Sequence, residues 1–133
     1  MALVIRTDFS DQRTWDALRA AIETPVDDFG FLADVEFVDD RKHAGRGTRQ
    51  LLESFPEDGA QGFVIVADST TMSQPEHPLL IVNLHTERGR EFRAIPSAIQ
   101  AIENNLSLAN MDFDEFADAV DAAGIFRGFD GGV

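Results

Sequence analysis

Three sets of carboxylates stand just past the ends of predicted strands in this 133-residue chain: Asp8, the pair Asp39 and Asp40, and Asp68. In an open α/β sheet, the loops leaving the carboxyl ends of the strands surround the ligand crevice. Asp8, Asp40 and Asp68 are therefore candidates for holding a divalent cation or a polar ligand, as converging carboxylates do in phosphoryl chemistry. The plainer role for the same residues is to cap turns and helix starts through side-chain to backbone hydrogen bonds. A second tract, residues 41–49, carries Arg41, Lys42, Arg46 and Arg49 and no acid. It precedes a predicted helix, whose unpaired N–H groups and dipole would add to an anion site. It lacks the Gly-Lys-Ser/Thr step and the spacing of a P-loop, and a solvated loop is the plain alternative.

Other chemistries fail on residue type or spacing. There are no cysteines, so disulfides, thiolate metal sites and a cysteine nucleophile are all excluded. His43, His77 and His85 are scattered, with neither an HxH nor an HExxH spacing, and each reads as a structural histidine. Ser69, Thr70 and Thr71 offer hydroxyls, but nothing places a base beside them, and a turn accounts for them. Asp112, Asp114 and Glu115 begin like a calcium loop, yet the glycine of the sixth position is absent and Phe116 falls where a ligand belongs. The carboxylate layout resembles that of phosphoacceptor receiver domains, with Asp68 as acceptor. Those domains need a lysine after a late strand, and Lys42 is the only lysine here. No catalytic residue, metal or cofactor is expected from these patterns.

The elements that must position these residues follow from hydrophobic period. Residues 2–7 read as a strand covered on both faces. Ser10 is placed to cap a helix running to about residue 23, with Trp15, Leu18 and Ile22 on its buried face, stopped by Pro25 and a turn at Asp27 and Asp28. Residues 31–38 alternate, with Phe31, Ala33, Val35 and Phe37 inward, as a strand at a sheet edge does. A polar loop, residues 39–47, leads to a helix over 48–55. Residues 62–67 form an unbroken apolar run, the mark of a central strand. A long polar loop over 68–78 precedes strands at 79–85 and 91–95, the latter read as a second edge from its alternation. Helices follow from near Pro96 and from Met111 or Asp112, with a break over 104–110 and a stop at Gly124. The rings of residues 125–129 are expected to pack back, with 129–133 a frayed tail.

The order βαβαβββαα predicts a single α/β domain spanning residues 1–133. Its sheet is mixed and mostly parallel, with five strands in the order 2-1-3-4-5 and helices packed on it. A thioredoxin-like mixed sheet is the alternative, without the cysteine pair that makes that fold redox-active. On the first topology the ligand crevice falls between strands one and three.

An apolar fraction of 44% with 11 Phe and one Trp excludes disorder and suits a core of hydrocarbon rings. The net charge of −13, from 24 acids against 11 bases, repels nucleic acid and anionic membranes. No apolar run approaches the ~20 residues that span a bilayer, and the first residues lack the basic and cleavage regions of a signal peptide. The expected address is the cytoplasm.

The run at residues 102–117, Ile-Glu-Asn-Asn-Leu-Ser-Leu-Ala-Asn-Met-Asp-Phe-Asp-Glu-Phe-Ala, closes with Phe126-Arg127-Gly128-Phe129. With Val4-Ile5-Arg6-Thr7-Asp8-Phe9-Ser10 and Ala67-Asp68-Ser69-Thr70-Thr71, it resembles a family of small uncharacterised bacterial proteins carrying a domain of unknown function. The likeness spans nearly the whole chain. It implies no activity and no catalytic residues to carry over.

Charge without catalytic spacing points to a non-enzymatic interaction module, of immunity or adaptor type, that binds a basic protein partner. Its contacts are expected on the polar-aromatic stretch 104–116 and on Asp114, Asp118 and Asp121 of the acidic last helix. The alternative is a domain that binds a small molecule or divalent cation, or an enzyme, using the strand-end crevice near Asp8 and Asp68. A homodimer paired through an edge strand is a third possibility.

Overall fold

Segments without a polar break occupy the middle of the sheet, because a strand covered on both faces has no solvent side to furnish. In the computed structural model, which describes residues 1–25 and 32–128, β1 (Ala2–Arg6) is buried at every position but Leu3. After it come α1 (Gln12–Ile22), β2 (Val35–Val38), a 3-10 turn at Arg41–His43 and α2 (Thr48–Leu52). The chain continues through β3 (Phe63–Ala67), α3 (Ser69–Ser73), β4 (Leu79–Asn83) and β5 (Glu91–Ala94). It ends with α4 (Ile99–Ser107), α5 (Phe113–Ala117) and β6 (Ile125–Phe126). Both β3 and β4 are buried throughout.

The strands form one six-stranded sheet in the order β2-β1-β3-β4-β5-β6. β1 runs parallel to β2 and β3, β4 is antiparallel to β3 and β5, and β6 is parallel to β5. The sheet is therefore α/β, mixed and mostly parallel, and its first five strands stand in the expected order. The sixth is a correction. Residues 125–126 pair with Arg93 and Ala94, so β5 is not an edge. Its alternation, with Phe92 and Ala94 buried between Glu91 and Arg93, reports a polar face, where Thr48 donates to Glu91 and Arg93 pairs with Asp68, rather than an edge open to pairing.

The two faces are covered unequally. On one, Trp15, Leu18 and Ile22 of α1, Ile99 and Ile102 of α4, and Phe113 and Phe116 of α5 pack on Val4, Ile65, Ile81 and Phe92. Phe92 meets Phe113, Phe116 and Phe126 at ring-centroid distances of 5.1, 6.5 and 6.5 Å. On the other face, among the described residues, α2 and the residues after it, through Leu51, Leu52 and Phe55, cover Ile5, Val64, Val66, Leu80 and Val82.

Local departures have local causes. Asp11, not Ser10, caps α1, accepting from the Thr14 amide at 3.2 Å, while the Ser10 amide donates to Asp8 Oδ1 at 2.8 Å. The stretch expected to be a polar loop after β3 begins with α3, a single short helix capped by Asp68 that buries only Thr71 and Met72. α4 continues through residues 104–107, where a break was expected, because Asn105 Nδ2 donates to the Ala101 carbonyl and Ser107 Oγ to Glu103. Phe31, the turn at Asp27 and Asp28, and residues 129–133 lie outside the described residues. No helix among the described residues is long and apolar enough to cross a membrane.

Candidate functional site

From β1 the chain passes through α1 to β2 on one side, then returns through α2 to β3 on the other. Loops leaving β1 and β3 therefore diverge, and a crevice opens where the strand order reverses. Residues 7–10, 44–47 and 68–69 wall it, around a volume of about 540 Å³. Arg6 is level with Ala67 across the sheet, which brings Asp8 and Asp68 to the same rim.

Asp68 is fully engaged. Its carboxylate receives both guanidinium nitrogens of Arg93, at 3.0 and 2.8 Å, and the amide and hydroxyl of Thr71, at 3.1 and 3.0 Å. Burial alone would raise this carboxyl's pKa; the hydrogen bonds from Arg93 and Thr71 outweigh it and hold the group below the ordinary carboxylate value. Asp8 differs. One oxygen accepts from the Ser10 amide, and among the described residues the group makes no ion pair. Asp40 does not join them: it is exposed and accepts from the Lys42 amide at 3.0 Å, capping the 3-10 turn. Among the described residues no three His, Asp or Glu side chains are gathered as a metal site requires.

Of the four basic side chains of the tract, Arg46 alone lines the crevice. Its guanidinium reaches Ser54 Oγ at 3.3 Å and the Gln50 carbonyl at 3.4 Å, with His43 Nδ1 also at 3.4 Å. His43 is buried, and burial, then the charges of Lys42 and Arg46, push its pKa below the usual histidine value. Arg41 lies over the Phe9 ring at 5.1 Å, while Lys42 and Arg49 are exposed. Gly45 takes a φ of +72° and donates its amide to the Thr7 carbonyl at 2.8 Å, which ties the loop to the end of β1. A side chain there would be strained.

Arg6 is the residue that pattern reading missed. Only 2% exposed, it donates to the Asp8 carbonyl at 3.0 Å, to Gln12 at 2.9 Å and to Asp39 at 3.3 Å. Its guanidinium carbon lies 4.4 Å from the Phe9 ring centre and 5.2 Å from that of Trp15. The loop after β1 is thus braced from β1, α1 and the loop after β2 together. Phe9, Ser10 and Ser69 also line the wall; their signal in the sequence is position just past a strand, not residue type.

The acids expected to meet a partner are held within the molecule. Arg90 donates to Asp114 and, at 2.7 Å, to Asp118. Asp121 receives Arg127 Nε at 2.7 Å and the amides of Ala123 and Ile125 at 2.9 and 3.1 Å, which fixes the turn into β6. Arg127 also pairs with Glu76.

No curated protein matches the chain. A family model described as a domain of unknown function (DUF6924) matches residues 1–129, nearly the full length, and the chain belongs to that family.

Proposed function

We propose that the chain binds a small polar ligand in the crevice at the carboxyl ends of β1 and β3. The observation that carries the proposal is the meeting of three loops at the reversal of strand order, around a carboxylate, Asp8, that no described cation neutralises. Asp8 accepts a hydroxyl or ammonium of the ligand. A Cβ at Gly45 or Gly47 would meet nothing within 4 Å, so the backbone is open to close approach. Asp68 serves the wall rather than the ligand, since Arg93 and Thr71 already occupy it.

Thermal shift across a panel of nucleotides, sugar phosphates, amino acids and divalent cations tests this. A true ligand raises Tm by several degrees at saturating concentration. The rise disappears in Asp8→Ala, whose unliganded Tm stays near that of the parent. A rise that survives Asp8→Ala places the ligand elsewhere and refutes the assignment.

A further inference from the structure

A second cavity, of about 370 Å³, opens at the other end of the sheet, where β3 begins and β4 ends. Phe63, Leu106, Met111 and Phe113 line one side of it, and Asn83, His85 and Thr86 line the other. The apolar side is stiff. The amides of Asn110 and Met111 both donate to the Asn105 carbonyl, at 2.9 and 3.3 Å, folding the loop after α4 back on that helix. Leu108, beside it, is 63% exposed, the most exposed large apolar residue among the described ones.

The charge around this cavity is mostly negative. Asp112 and Asp114 stand on its lip, with Glu115 on the same short helix, Asp118 at that helix's C-cap and Glu87 near Arg90. Arg90 is the single guanidinium among them, shared by Glu87, Asp114 and Asp118. Arg88 is turned away, donating to the carbonyls of Leu84, Leu52 and Phe55. Asp112 makes no ion pair among the described residues, and the imidazole of His85 is tied to the Gly59 carbonyl at 3.0 Å. A cavity with one apolar side behind an acidic lip suits a large apolar side chain flanked by lysine or arginine.

We propose that this groove docks a basic segment of a protein partner, with one large apolar side chain seated on Phe63, Leu106 and Met111 and its cations against the negative lip at Asp112 and Asp114. The site is independent of the crevice, which lies at the opposite end of β3. It carries the interaction expected from charge to a surface where shape and charge agree.

The experiment uses a set of short peptides with a central Leu, Ile, Met, Phe or Trp between Lys and Arg flanks. Glu-flanked counterparts and a Gly-centred version serve as controls. Amide shifts of the ¹⁵N-labelled full chain are followed at low salt and at ~0.15 M ionic strength. At least one basic peptide should bind more tightly than ~1 mM, shift residues 106–114, and weaken about tenfold on adding salt. Met111→Lys should abolish binding and Asp112→Asn should weaken it several-fold, with both variants giving parent-like spectra elsewhere. The proposal is overturned if no basic peptide binds at that level, if the Gly-centred or Glu-flanked peptides bind equally well, or if the shifts fall on residues 7–10 and 44–47.

Discussion

Asp68 accepts from both nitrogens of Arg93 and from the amide and hydroxyl of Thr71, so one carboxylate closes an ion pair between β3 and β5 and caps α3. Removing it as Asp68→Ala leaves a three-quarters buried guanidinium and an uncapped helix start. That should cost about 2–3 kcal/mol in urea unfolding. Its folded pKa is depressed, so the stability it contributes is complete above the ordinary value of 3.8 and is lost as pH falls from there through the folded value. Asp68→Asn should flatten the acid side of the stability curve in that window, and a curve of unchanged slope would remove Asp68 from the linkage. Residue by residue, Asp8 and Asp68 reach the rim because β1 and β3 flank the reversal of strand order, and their position just past those strands is legible in the sequence. Asp40 follows β2, the outer strand, and its own loop offers it a nearer donor in the Lys42 amide. Arg6 was hidden for a different reason: its partners Gln12 and Asp39 are brought together only by the fold.

Among the elements, those with several turns or several apolar positions were legible, and those stabilised by their surroundings were not. Trp15, Leu18 and Ile22 announce α1, and the unbroken run of β3 announces a central strand, since each pattern reports burial that the element itself supplies. A two-residue strand has no period, and α3, with a single turn, owes its existence to the Asp68 cap and to Met72 beneath it. The alternation of β5 suggests an unpaired edge, whereas it marks the polar face where Glu91 meets Thr48 of α2 and Arg93 meets Asp68. β6 is also where the closing rings are anchored. Phe126 is 1% exposed, with its ring centre 5.2 Å from Phe116 and 6.5 Å from Phe92. Phe126→Ala should therefore lower stability by about 3–5 kcal/mol. It should also speed amide exchange at Arg93 and Ile95, whose N–H groups bond to the Gly124 and Phe126 carbonyls. A loss below about 1 kcal/mol would mean that the sheet closes without its sixth strand.

At the scale of the whole molecule, the charge of −13 and the internal ion pairs act in opposite directions as salt is added. Arg90 and Arg127 bridge carboxylates on exposed surfaces, and such pairs contribute little to stability, a contribution that screening erodes further. Against them stands the mutual repulsion of the acidic excess. Two like charges ~14 Å apart, the radius expected for a chain of this length, repel by about 0.3 kcal/mol in water before screening. The excess charges form many such pairs, so their sum exceeds the few bridges. The Debye length shrinks from ~30 Å at 0.01 M to ~8 Å at physiological ionic strength, which removes most of that repulsion and leaves close contacts less affected. Melting temperature should consequently rise on going from ~0.01 to ~0.15 M sodium chloride, by scanning calorimetry at neutral pH. The same salt should weaken a basic segment held at the acidic lip of the groove, so stability and partner affinity should move in opposite directions over one titration. A fall in melting temperature would mean that the bridges at Arg90 and Arg127 outweigh the repulsion, and that the acidic surface is arranged chiefly to hold the last helix and β6 in place.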